Sequence, residues 1–195
     1  MSALNAVLAA AEALHRAHPA LSGFGPWPDD LARSAMNARH KPVADLIGDF
    51  SHTGSAETQP LVDAVRSAAG AGHWKRTYTE EEVGADFRAR YGYYELFGPS
   101  GHFRSNELRG YIGYWGEGLH YDWHHHQAEE LYFVLAGGAE FRAEGLEYSY
   151  LTPGESRLHS AWQPHAMETK DEPILVYVLW RGSGMADLPK MGRAT

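Results

Sequence analysis

Residues 121–132 read YDWHHHQAEELY, three histidines in a row followed by two glutamates, with a tyrosine at each end. Imidazole and carboxylate are the side chains that bind divalent first-row metals when no thiolate is available. A strand alternates faces with period two. His124, His126, Glu130 and Tyr132 would therefore project to one side around the small Ala128, and His125, Gln127, Glu129, Leu131 and Phe133 to the other. A turn near 127–129 would disturb this register, yet even parity collects the good ligands on one face. The alternation selects His126 and Glu130 and turns His125 and Glu129 away. Whether His124 is a direct ligand or a neighbour stays open. The chain has no cysteine, which excludes disulfides and thiolate zinc sites. Three or four nitrogen and oxygen donors suit one Zn²⁺, Fe²⁺, Mn²⁺ or Ni²⁺ ion per chain, and they leave coordination positions open, which favours catalysis over a structural role.

Tyr132 adds a second kind of chemistry to that face. A free phenol ionises near pH 10, and a neighbouring divalent cation stabilises the phenolate. A drop of about three pKa units corresponds to roughly 4 kcal/mol, within reach of a metal. Tyr132 would then serve as a general base near neutral pH. Tyr121, Trp123, Trp162, Tyr177 and Trp180 are candidates for an aromatic surround. Such rings attract a quaternary or sulfonium cation without any counter-charge.

These residues need a scaffold. Of 195 residues, 44% are hydrophobic and 12% aromatic, enough for a packed core in one compact domain. A net charge of −8 with no basic stripe excludes a nucleic-acid partner. The opening MSALNAVLAAAEALHRAHPA has no basic n-region and carries Glu12, so it reads as an amphipathic helix and not a signal peptide. No run reaches the apolar length of a membrane span, and the chain is expected to be cytoplasmic. Leu4, Val7, Leu8, Ala11 and Leu14 recur at helical spacing up to Pro19. A second helix is predicted from Pro60 to Ala69. A third starts at the Thr79–Glu82 capping box, with Glu80–Glu82 in its first turn, and is stopped by Gly92.

From about residue 94 the texture changes to short apolar runs punctuated by Gly and Pro, the pattern of an antiparallel barrel or sandwich. Predicted strands are 110–115, 129–137, 139–143, 146–152, 155–160 and 174–180, with a loose tail from Arg181. The expected organisation is a helical segment, 1–93, packed on a β-barrel, 94–195. Leu131, Phe133 and Leu135 face away from the ligands and need a cover, either those helices or a second subunit. The segments 22–30 and Tyr91–Tyr94 are candidate lids.

The spacing Gly118–x5–His124–x–His126–x3–Glu130–x6–Gly137 resembles the first motif of the cupin superfamily at every fixed position. Pro153-Gly154-Glu155 and Trp162-Gln163-Pro164-His165 resemble the second, although Thr169 stands where that motif has asparagine. The resemblance implies a mainly-β fold, a double-stranded β-helix or jelly-roll barrel, with His124, His126, Glu130 and His165 facing inward. His159 is expected beside the ligands or on the surface. Over Tyr121–Gly137, Pro153-Gly154 and Trp162–Glu168 to Trp180, the chain further resembles the bacterial cupin-type dimethylsulfoniopropionate lyases, the DddQ-like group.

That likeness implies β-elimination of a zwitterionic sulfonium to dimethyl sulfide and acrylate. It assigns metal binding to His126, Glu130 and His165, and places Tyr132 at the metal as ligand or base. Tyr121 falls in the substrate pocket or in proton handling, His124 beside the metal, and Trp180 in the pocket wall, with Trp162 as a further substrate contact. The partner would be the small substrate alone, on a monomer or homodimer. Two rival readings share the histidines: another metal-dependent cupin enzyme, such as an iron dioxygenase or an isomerase, and a cupin that binds a small ligand without turnover.

Overall fold

The computed structural model describes residues 2–192. Helix α1 (Ala3–Ala17) buries Leu4, Val7, Ala11 and Leu14 on one face, as their spacing predicts. Pro19 does not simply end it: Pro is pre-set for a first helical turn, and α2 (Pro19–Phe24) starts there, with His18 Nδ1 accepting the Ala20 N–H. After strand β1 (Ala32–Arg33) come α3 (Pro42–Gly48) and α4 (Gln59–Ser67), the latter with Pro60 in its first turn. Helix α5 (Glu80–Arg90) opens on the Thr79–Glu82 capping box and carries Glu80, Glu81 and Glu82 in its first turn. Gly84 breaks it in the middle with φ +82°, a conformation that only glycine takes readily.

The rest is sheet, antiparallel except where β2 and β3 pair in parallel. The strands are β2 (Tyr91–Gly98), β3 (Phe103–Arg104), β4 (Arg109–Trp115), β5 (His120–His125), β6 (Glu129–Gly137) and β7 (Ala139–Ala143). They continue with β8 (Ser149–Leu151), β9 (Ser156–His159), β10 (His165–Glu168), β11 (Ile174–Arg181) and β12 (Lys190–Met191). Seven form one sheet in the order β1-β3-β2-β4-β11-β6-β9, and five form the other in the order β12-β5-β10-β7-β8. This is the mainly-β barrel with N-terminal helices that the cupin resemblance implies. No helix among the described residues is long and apolar enough to cross a membrane.

Strand alternation divides the molecule into two cores. On β6, Leu131, Phe133 and Leu135 join α1, α2 and α4 in the outer core, while Tyr132 and Val134 face the barrel interior. On β11, Leu175, Tyr177 and Leu179 point outward, whereas Ile174, Val176, Val178 and Trp180 point inward. The N-terminal helices, not a second subunit, therefore cover the apolar face opposite the ligands. Each fully buried Leu or Phe there contributes roughly 1.5–3 kcal/mol.

Several sequence expectations need correction. The barrel begins at Tyr91, because β2 is an eight-residue strand paired along β4, so Tyr91 and Tyr93 belong to the barrel wall and not to a lid. The 22–30 segment is no lid either. Trp27 is buried in the outer core, packed edge-on against Phe97 at 5.0 Å. The runs expected at 146–152 and 155–160 shrink to β8 and β9, and Leu146 and Tyr148, which fall outside β8, are exposed. The tail past Arg181 is not loose over the described residues, and 193–195 lie outside them. It returns as β12, pairing Lys190 with His125 and Met191 with His124.

Candidate active site

Three cross-strand registers assemble the interior. Between β11 and β6, Trp180 stands opposite Glu130, and between β6 and β9, Glu130 stands opposite His159. Between β10 and β5, His165 stands opposite His124. His126 lies just past the end of β5, where the chain turns toward β6. Directly opposed side chains in antiparallel sheet sit about 4.5–5.5 Å apart at Cβ, so these registers set Trp180, Glu130 and His159 side by side on one sheet and His165 beside His124 on the other, and the packing of the two sheets joins the sets.

His126, Glu130 and His165 are all buried, and one donor atom of each lies within 4.8 Å of the other two. Glu130 Oε2 is 3.2 Å from His126 Nε2, 3.0 Å from His165 Nε2 and 3.1 Å from His159 Nδ1. Its other oxygen accepts the Trp180 indole N–H at 2.7 Å. Burial would raise the Glu130 pKa, but the imidazoles around it, His126 foremost, hold it well below the usual carboxylate range. The Nδ1 atoms of His126, His165 and His124 face the backbone carbonyls of Ala128, Gln163 and Asp122 at 2.8–2.9 Å. A ring nitrogen facing a carbonyl must carry the proton, which leaves each Nε2 lone pair free, the arrangement metal-binding histidines use.

The donor set fits a divalent cation. Three ring nitrogens crowd one carboxylate oxygen, and the buried Nε2 of His165, though close to Glu130, has no hydrogen bond. His124 is buried beside this group but outside it, stacked on the Tyr121 ring at 4.0 Å and edge-on to His165 at 4.1 Å. Burial, reinforced by His165, pushes its pKa well down and keeps it neutral. His159 is no surface residue. It stacks on His165 at 4.0 Å, and burial and His165 push its pKa down to about 3. His125 faces the other way, with Nδ1 bonded to the Gly192 carbonyl, and Glu129 pairs with Arg181.

A cavity opens from Glu130 toward the barrel mouth. Tyr91, Tyr93, Tyr111, Tyr121 and Tyr132 line it with Trp115 and Trp180, and no lysine or arginine is among the lining residues. Tyr132 is buried, and both burial and the nearby Glu130 raise its pKa well above 10 in the absence of a cation. Tyr121 pairs its hydroxyl with that of Tyr78 at 2.7 Å. Of the aromatics singled out from sequence, Tyr121 and Trp180 reach the cavity. Tyr177 lies in the outer core, and Trp162 sits outside, 46% exposed, between His125 and Lys190. Trp162 has φ 63°, a left-handed conformation uncommon for a bulky residue. Tyr78, Tyr111 and Trp115 were missed, and Tyr91 and Tyr93, expected in a lid, stand in the wall instead. The alternation Tyr111–Gly113–Trp115 was the available signal for two of them.

Trp180 connects the cavity to the ligand cluster. Its ring stacks on His126 at 4.0 Å while its N–H holds Glu130. Trp180→Phe keeps an aromatic ring there but frees Glu130 Oε1. Loss of an outer partner of this kind costs about 10–100-fold in metal affinity, which a chelator-competition titration would read.

With this geometry in place, comparison with known proteins is decisive. Residues 28–176 match the model of the dimethylsulfoniopropionate lyase family. The chain belongs to that family. It is 39% identical over 176 residues to the dimethylsulfoniopropionate lyase DddQ of Ruegeria pomeroyi, covering 90% of this chain and 88% of the relative. A crystal structure from work on the dimethylsulfoniopropionate lyases RdDddP and RnDddQII superposes with a TM-score of 0.95 at 46% identity, over 98% of each chain. The crystal structure of the Ruegeria pomeroyi enzyme superposes with a TM-score of 0.91 at 38% identity, over 97% of this chain and 95% of that one. As a member of the dimethylsulfoniopropionate lyase family, the protein is a lyase.

Proposed function

We propose that this lyase cleaves dimethylsulfoniopropionate by metal-dependent β-elimination to dimethyl sulfide and acrylate. The observation that carries the reading is one cavity lined by Tyr132, by Glu130 of the His126–Glu130–His165 cluster and by a wall of tyrosine and tryptophan rings, with no lysine or arginine in the lining. The substrate pairs a sulfonium with a carboxylate. Aromatic faces attract the sulfonium through their negative quadrupoles, worth about 2 kcal/mol or more in a desolvated site. The carboxylate finds no lysine or arginine in the lining. The Arg109 guanidinium, which lies over the Tyr111 and Trp180 rings, is already paired with the buried Glu95 at 3.0 Å.

His126, Glu130 and His165 would hold one divalent cation, with His124 beside it. When bound, that cation supplies Lewis-acid polarisation of the substrate carboxylate, and so acidifies the adjacent methylene. Tyr132, as phenolate, removes the α-proton. The electron pair of that C–H bond forms the Cα–Cβ double bond, and the C–S bond breaks with its pair leaving on sulfur as neutral dimethyl sulfide. Tyr121, stacked on His124 and bonded to Tyr78, keeps the opposite wall fixed and is placed to pass protons at its hydroxyl.

Headspace gas chromatography tests this directly. The purified chain incubated anaerobically with dimethylsulfoniopropionate should release dimethyl sulfide, and chelator-stripped protein should not. Substrate-dependent oxygen uptake with no dimethyl sulfide would instead mark the site as a dioxygenase.

A further inference from the structure

We propose that Arg109 is a positioning residue for substrate binding, acting through residues 182–192 as a strap that forms the outer wall of the cavity. The inference rests on the proposed lyase reaction and adds the segment that encloses its substrate. Arg109 opens β4, is 4% exposed, and stands directly across the strand pair from Trp180. One guanidinium nitrogen binds Glu95 Oε2 at 3.0 Å, and Glu95 is itself fixed by the Ser100 N–H and hydroxyl at 2.7 and 2.6 Å. The other terminal nitrogen donates to the carbonyls of Met185 at 2.5 Å and Asp187 at 3.2 Å. The guanidinium also lies over the rings of Tyr111 and Trp180, at 4.6 and 5.4 Å, both of which line the cavity.

The residues right after those carbonyls, Leu188 and Pro189, line the cavity mouth. Leu188 is exposed to solvent on one side and lines the cavity on the other. Beyond them Lys190 and Met191 pair with β5, and Gly192 accepts from His125 and donates to the Trp123 carbonyl. The strap is thus held at two points, by Arg109 and by β12, with the apolar pair bridging the mouth between them. Gly182, Gly184 and Gly192, at φ 83°, 75° and 95°, supply the bends. Arg109 is suited to this task because its planar fork reaches the carboxylate and the carbonyls together. A lysine ammonium, as a point charge, does not span both. The wall so placed excludes water beside the dimethylsulfonium group, where it strengthens cation–π attraction.

The test reads substrate affinity and strap release separately. Arg109→Lys should raise KM for dimethylsulfoniopropionate about tenfold while kcat stays within about threefold and bound metal is unchanged, the signature of lost uniform binding. In the same variant trypsin should cut after Lys190 at least about tenfold faster than in the parent, as expected for a segment whose local opening has become easier. Leu188→Gly leaves the buried ion pair intact, so it serves where Arg109→Lys fails to fold. It should raise KM about threefold, and the double variant should be no worse than Arg109→Lys, since the wall is already displaced. Unchanged KM in Leu188→Gly, a drop in kcat alone in Arg109→Lys, or parental cleavage at Lys190 in that variant would each overturn the proposal. If the parent released no dimethyl sulfide the reaction assignment would fail, while the trypsin comparison would still decide whether Arg109 holds the strap.

Discussion

Tyr132→Phe should keep its metal and lose most of its turnover, by about 10²–10⁴-fold, the range a positioned general base contributes. The substitution removes one oxygen and little else. The ring keeps its packing against Phe141 at 5.3 Å, His159 at 5.7 Å and Trp115 at 6.2 Å. None of the groups that orient His126, Glu130 and His165 is the Tyr132 hydroxyl: backbone carbonyls fix the two imidazoles, and Trp180 fixes the carboxylate. Elemental analysis should therefore return the parental metal content beside a collapsed rate of dimethyl sulfide release. The electrostatics give this prediction a second edge. Burial and Glu130 both disfavour the phenolate and hold the Tyr132 pKa well above 10. A cation beside the ring acts in the opposite direction. Stripped protein should then be inactive at neutral pH because Tyr132 is protonated, as well as because the substrate carboxylate lacks its anchor. Full activity in Tyr132→Phe would move the base to Tyr121.

His126→Ala and His165→Ala should each lose bound metal and activity together, whereas His125→Ala should retain both. Within one tripeptide the contrast isolates geometry from composition. His126 and His165 are buried with Nε2 about Glu130, while His125 is half-buried and bonds the Gly192 carbonyl. Removing one partner from a buried charge pair costs about 3–5 kcal/mol when the remaining charge is left alone. Glu130 would still have His159, one of the two cluster histidines and Trp180, so both variants should fold, with melting temperatures lowered but transitions intact. Inductively coupled plasma measurement on dialysed protein checks the metal, and a thermal melt checks the fold. A metal-free His125→Ala would contradict the facing of the triplet.

Alternation along 124–134 was legible because it is local, while register shifts at either end turn Tyr121 inward and Ala136 outward. Period two decides which of two adjacent histidines or glutamates faces inward, and the β5–β6 turn at 126–128 left that parity undisturbed. The capping box, the amphipathic α1 and the two-faced β6 were legible for the same reason: each signal lies within one or two turns or strand residues of its effect. The expected loose tail failed because its order comes from elsewhere. Its composition is that of a loop, and Arg109, 76 residues earlier than Met185, and the edge of β5 supply long-range partners for its backbone.

Chemistry was thus inherent in residue types and spacing: imidazoles and a carboxylate on one face, a phenol two residues on, and no thiolate. Enclosure was not. Tyr91, Tyr93, Tyr111 and Trp115 belong to strands carrying no ligand, and they meet Tyr132 only because β2, β4, β11 and β6 pair in that order. The Trp180 bond to Glu130 spans 50 residues and exists through the β11–β6 register. Trp162 and Tyr177 were as aromatic as Trp180, yet burial sent one outside and the other to the helical core. Residue type specifies what a side chain does to a proton or a cation. Long-range strand pairing specifies which side chains share a cavity, since a register is set by all the contacts along two strands together and not by either strand alone.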